Sequence, residues 1–167
     1  MRTILLLISL MTFLSTGHPA RRSAEPKFND YPVTDKFKGK PALPIISQPR
    51  ARLFQTMIRL QAAHEPNFAG LYTLATWGCG AGCRGFAVID ARTGKVYFNP
   101  KALNVATVPF QDEDSLQFRL DSRLLILSGY VDGFRGYQSE SKFYYEWKNN
   151  RFMLIRKTKI KMYHPEQ

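Results

Sequence analysis

The chain has 167 residues, a net charge of +11, two cysteines, 12 phenylalanines, 8 tyrosines and 2 tryptophans. Two cysteines exclude a small disulfide-stapled scaffold, so a domain of this size must be held by apolar burial, which its aromatic side chains can supply. The charge favours anionic partners and sits at the ends: residues 21–50 carry seven basic against three acidic side chains, residues 151–167 five against one, and the stretch between eleven against nine.

Residues 1–17 read as a secretory signal peptide: Arg2, then an apolar run from Ile4 to Leu14, then small residues at Ser15 and Gly17, with cleavage expected after Gly17. The run covers only about half of the ~30 Å hydrocarbon core, so no transmembrane segment is expected in the mature chain. No cysteine follows it, which argues against a lipid anchor. The expected location is the periplasm or the cell exterior, where a cysteine pair is oxidised by default.

Residues 18–48 form a basic, proline-rich arm, in which five prolines forbid any long regular element. Residues 49–167 are expected to make one mainly-β (α+β) domain: an antiparallel meander of six or seven strands with one packed N-terminal helix. Ser47 can cap that helix and Pro49 suits its first turn. Leu53, Met57 and Leu60 fall on one face with Phe54 and Ile58 beside them, while Arg50, Arg52 and Arg59 are expected in water. Pro66 closes it, just after His64.

From Phe68 onward short alternating segments take over. "NFAGLYTLATW" precedes the cysteine loop, and "GFAVID", the turn "DARTG" and "KVYF" follow it. Asp90 and Gly94 are what a tight hairpin with a left-handed glycine requires. Later come "LQFRL", "LLILSGY", "KFYYEW" and "FMLIRKTKI". The last of these places Lys157, Lys159 and Lys161 on one face and Thr158, Ile160 and Met162 on the other, a basic stripe that suits an edge strand.

Cys79 and Cys83 lie in "WGCGAGCRG". A structural zinc needs four ligands and only one cysteine pair exists; a thioredoxin-like centre needs Cys-x-x-Cys opening a helix. A nucleophilic Cys79 with His64 as base would be silenced by oxidation to Cys83. The reading is a disulfide-pinned turn, with Gly78, Gly80 and Gly82 supplying the backbone freedom. Trp77, Gly80 and Gly82 are candidate partner-binding residues there. A second candidate is "GYVDGFRGYQSE", where Tyr130, Phe134, Arg135 and Tyr137 could anchor an interface. Asp112–Asp114 reads as a solvated acidic turn rather than a metal or acid–base site.

The succession "WGCGAGCRGFAVIDARTGKVYF", "DSRLLILSG" and "YYEWKNNRFMLI" resembles a loose family of small, uncharacterised exported bacterial proteins with a Trp-Gly-Cys-Gly turn. The resemblance implies export and a β-rich fold and carries no catalytic residues. The functional expectation is a non-catalytic periplasmic or secreted binding protein, an inhibitor or immunity-type protein among its forms, acting on a protein or anionic envelope component. No catalytic residue, metal, cofactor or specific nucleic acid is expected. The alternative is a cell-envelope hydrolase, which would need two facing carboxylates from among Asp132, Glu140 and Glu146, or a base beside a nucleophile.

Overall fold

In the long hairpin that follows the helix, β1 (Tyr72–Gly80) and β2 (Cys83–Asp90) pair antiparallel, with Tyr72 opposite Asp90 and Trp77 opposite Gly85. Strict alternation sends Tyr72, Leu74, Phe86 and Val88 to one face and Ala75, Trp77, Ala87 and Ile89 to the other. The computed structural model describes residues 24–107, 114–133, 136–137 and 140–160, with only the backbone at 133, 136 and 137. Residues 1–17, expected as a signal peptide, with the expected cleavage site, residues 18–23 of the arm, Asp112, Glu113, Phe134, Arg135, Lys161 and Met162 lie outside the described residues.

The remaining strands are β3 (Val96–Tyr97), β4 (Asn104–Ala106), β5 (Leu116–Phe118), β6 (Leu124–Gly133), β7 (Gly136–Tyr137), β8 (Ser141–Lys148) and β9 (Arg151–Lys159). They form one antiparallel sheet in the order β1-β2-β4-β6-β8-β9, with β3 on β2 and β5 and β7 on β6. The class is the expected meander, with nine strands among the described residues rather than six or seven. β3 and β5 lie in "KVYF" and "LQFRL", as expected; the two additional strands, β4 and β7, are three and two residues long, too short to show an alternation in sequence. β9 ends the order, with Lys157 opposite Phe143 and Lys159 opposite Ser141.

Across β1, β2, β6 and β8 both faces of the sheet are buried, whereas β9 has no buried residue. The inner faces of β1–β2 and β6–β8 turn towards each other around Phe68, Leu74, Phe86, Leu125, Phe143, Tyr145 and Trp147. The outer face of β1–β2 is covered by the helical segment, and that of β6–β8, with Leu124, Ile126 and Tyr144, by Phe28 and Tyr31 of the arm. The arm is extended but tied down: the amides of Phe37, Ala42 and Ile45 donate to the carbonyls of Gly70, Ala91 and Gly94 at 2.8 Å each. Gly94 has φ of +74°, the left-handed turn position its sequence demands, and a side chain there would strike the Leu43 carbonyl of the arm.

The helix differs from expectation in three ways. It is two pieces, α1 (Pro49–Leu53) and α2 (Gln55–Ala62), broken at Phe54, where φ is −114° and ψ 18°. Gln48 rather than Ser47 is the N-cap, and its side chain makes no capping bond because it donates instead to the Val96 carbonyl at 2.9 Å. The buried face is Ala51, Ile58 and Ala62, flanked by Phe54 and Met57, while Leu53 and Leu60 are 78% and 58% exposed. The cause is the Trp77 indole, which stacks on Phe54 at 4.2 Å and turns that residue, not the leucines, to the sheet. Arg50 is drawn in as well: it is half-buried, 5.6 Å from the ring centres of both Phe54 and Phe98, whereas Arg52 and Arg59 face water.

The outer edge of β1 is closed by two side-chain amides acting as stand-in peptide groups. Asn67 bonds the amide and carbonyl of Leu74 at 2.7 and 3.3 Å, and Gln61 does the same for Thr76 at 3.0 and 2.6 Å. Such capping removes a template for strand addition.

At the other end of the hairpin, the buried Asp90 carboxylate accepts from Arg92 Nε and Nη2 at 3.0 and 2.7 Å and from the Arg92 amide at 2.9 Å. Burial pushes the Asp90 carboxyl up, but the hydrogen bonds and charge of Arg92 outweigh it and leave the group below the usual carboxylate range. A depressed carboxyl contributes stability above its unfolded pKa of ~4 and loses it as pH falls through the lower folded value. Asp90→Asn is therefore expected to cost about 2 kcal/mol at pH 7 and to flatten the loss of stability below about pH 4, read by urea denaturation across pH. An unchanged acid limb would show that Asp90 does not carry it.

Candidate functional site

The cysteine turn is built as a rigid corner. Cys79 and Cys83 are disulfide-bonded with Cα atoms 5.1 Å apart. Gly80 and Gly82 hold φ of +131° and +65°, which side-chain-bearing residues resist. The Gly82 carbonyl accepts from both the amide and the hydroxyl of Thr107, at 2.9 and 2.8 Å, so the turn is locked to the end of β4. A cleft of about 510 Å³ opens beside it, bordered by Met57, Trp77, Gly82, Arg84 and Asp114. The Arg84–Asp114 pair spans it at 3.5 Å with both side chains half in solvent or more, so it stabilises little.

Trp77 is a core residue. It is 6% exposed, stacked on Phe54, and lies so close over Gly85 that a Cβ there would collide with the indole. Tyr130 lies in register with the turn, since Cys83 pairs with Ala106 and Ala106 with Tyr130. Its hydroxyl donates to Glu140. Tyr137 pairs through its backbone with Asp132, two residues further along β6, while Phe134 and Arg135 lie outside the described residues. Cys83 and Tyr130 are thus brought onto one row of the sheet, and the hairpin carrying Tyr137 runs away from it.

A larger cleft of about 870 Å³ lies elsewhere, where the start of α1, β3 and the β8–β9 turn meet. Tyr97, Phe98, Trp147 and Phe152 form much of its lining, and Arg50, Lys95 and Arg151 contribute three cations from three separate elements. No aspartate or glutamate is among its lining residues. The rings meet at steep angles: Tyr97 to Trp147 at 5.5 Å and 73°, Trp147 to Phe152 at 4.8 Å and 65°. Trp147 is 3% exposed, and neither its indole N–H nor the buried Nε of Arg50 meets a protein acceptor. Burial holds the Arg50 guanidinium below its ordinary pKa, with the Asp132 carboxylate pulling the other way. It remains a cation at neutral pH.

The groups named for the hydrolase alternative are placed as follows. Cys79 and Cys83 are bonded to each other, and His64 is exposed just beyond α2. The three candidate carboxylates hold different partners: Glu146 lies 3.2 Å from Arg123, Asp132 accepts from Asn104 at 3.3 Å, and Glu140 accepts from Tyr130.

No protein-family model, curated protein or solved structure matches this chain. The residues of the larger cleft were missed in sequence because they come from segments far apart in the chain, around residues 48–50, 95–103 and 147–152. "KVYF" and "WKNNRF" each couple aromatic and basic residues, which was the available signal. Nothing local says that they converge.

The disulfide closes a very short ring, so its effect on the unfolded chain is small. Replacing both cysteines by alanine is expected to cost about 2 kcal/mol or less in chemical denaturation. Intact-mass analysis should find no reactive thiol before reduction and two after it. A thiol that reacts in the native protein would remove the disulfide from the account.

Proposed function

We propose that the protein is an exported, non-catalytic binding protein, periplasmic or secreted after loss of residues 1–17, that engages an anionic envelope-associated component. The observation that carries this reading is the basic aromatic cleft: Arg50, Lys95 and Arg151 line one space with Tyr97, Phe98, Trp147 and Phe152, and among the described residues no carboxylate joins its lining. Cations held around a partly dry surface attract anions more strongly than the same cations scattered in water. The aromatic walls add contact area and shape. The resemblance to small exported proteins agrees with this location, as does a disulfide at Cys79–Cys83. An inhibitory or immunity-type role fits an acidic target; a chain with net charge +11 would be steered away from a basic one.

The test is co-sedimentation of the mature protein with isolated cell envelopes. Retention at low salt and release by about 0.5 M salt are expected, because screening shortens the reach of charge to a few ångströms. The triple variant Arg50→Gln, Lys95→Gln, Arg151→Gln should be retained at least tenfold less while melting as a single cooperative unit. Retention equal to that of the unaltered protein would show that the cleft is not the contact.

A further inference from the structure

We propose that the ligand of the larger cleft is an acidic saccharide: a pyranose ring bearing a carboxylate or phosphate, taken alone or as part of a chain. This inference rests on the binding role just proposed and names its ligand.

Three observations converge on it. The first is the geometry of the rings. Tyr97, Trp147 and Phe152 meet edge to face, at 73° and 65°, whereas the parallel pair Phe54 and Trp77, at 16°, lies in the core beneath the helix. A planar aromatic ligand is best held between two parallel faces, and neither Tyr97–Trp147 nor Trp147–Phe152 is such a pair. A puckered sugar needs only one ring face for its C–H groups and leaves its hydroxyls pointing outward.

The second is the distribution of charge. Arg50, Lys95 and Arg151 all line the cleft and come from three separate segments of the chain, so an anionic substituent has more than one cation to pair with. Arg50 suits a carboxylate or phosphate especially well, since its guanidinium offers paired donors and its buried Nε has no protein acceptor.

The third is the supply of polar groups for hydroxyls. The Gln48 amide is fixed by its bond to the Val96 carbonyl, which leaves its oxygen as an acceptor at the margin of the cleft. The Trp147 N–H, in a side chain 97% buried in the wall of the same cleft, has no protein partner and is closed to solvent, so a ligand hydroxyl reaches it only as the wall shifts. A pocket for a simple hydrocarbon chain would have no use for either.

Two sources share this chemistry, a uronic-acid polysaccharide and the phosphorylated sugar headgroup of a glycolipid. The experiment separates them. Trp77→Phe leaves Trp147 as the sole tryptophan, so fluorescence reports on the cleft wall. The mature protein is titrated with trigalacturonic acid, glucose 6-phosphate, maltotriose, inorganic phosphate and vesicles carrying a phosphorylated diglucosamine lipid. Calorimetry on the chain with Trp77 intact provides the same constants should the variant fold poorly.

Saturable binding of an acidic sugar, at least tenfold tighter than maltotriose and inorganic phosphate, is the expected result. Arg50→Gln should weaken it about tenfold, and Arg52→Gln, on the exposed side of α1, should leave it unchanged. Preference for trigalacturonic acid assigns the polysaccharide; preference for glucose 6-phosphate and the vesicles assigns the glycolipid headgroup. Phosphate or maltotriose binding as tightly as the acidic sugars would overturn the proposal, as would failure of every acidic sugar to bind. If the acidic sugars fail while envelope retention still depends on the three cations, the ligand class is wrong and the binding role stands. If both fail, both readings fall.

Discussion

A sheet that is apolar on both faces cannot stop at itself, and this constraint organises the protein. Leu74, Phe86 and Val88 of the first hairpin need cover on one side, and Ala75, Trp77, Ala87 and Ile89 need it on the other. The sheet satisfies the first demand by folding its later strands back over its own inner face. The second is met twice by segments from the N-terminal part of the chain, the two-piece helix over β1–β2 and the arm residues Phe28 and Tyr31 over β6–β8. A stretch that composition alone would assign to a loose tail therefore carries structural weight. Its backbone bonds to Gly70, Ala91 and Gly94 fasten it to the domain.

The same constraint shapes the clefts. The helix breaks at Phe54, and that ring, rather than a leucine, lies stacked on the Trp77 indole. The break places Arg50 over Phe54 and Phe98 instead of in water. Desolvating a guanidinium without a carboxylate in the same cleft costs free energy that packing elsewhere must offset. Sites that carry such a cost, beside a buried indole N–H with no partner, are where a ligand has most to gain. The basic aromatic cleft thus follows from how the helix is forced to cover the sheet.

The disulfide turn has a different character. Its two bonds from Thr107 to the Gly82 carbonyl and its glycine angles make it stiff, yet its cleft has one exposed ion pair and a floor shared with the core. Rigidity there fixes the end of the β1–β2 hairpin against β4, which in turn pairs with β6. Through that bridge the two halves of the sheet keep their relative placement, and with it the distance between β3 and the β8–β9 turn that line the larger cleft.

Local pattern was sufficient for the antiparallel β class, the tight turn at Asp90–Gly94, the pinned cysteines and the helix near residue 50, because each depends on residues adjacent in sequence. Alternation, glycine placement and proline position act over fewer than ten residues, and that physics is legible in a string of letters. The face of the helix was not legible: Leu53 and Leu60 are as apolar as Ile58, and only the shape of the sheet beneath decides which of them is buried. The burial of Trp77, a candidate partner-binding residue in sequence, was not legible for the same reason, since nothing in "TWGCG" says that Phe54 will cover it. The larger cleft depended wholly on tertiary structure. Arg50, Lys95 and Arg151 lie in three segments, and only the back-folding of the sheet brings them around the same four rings.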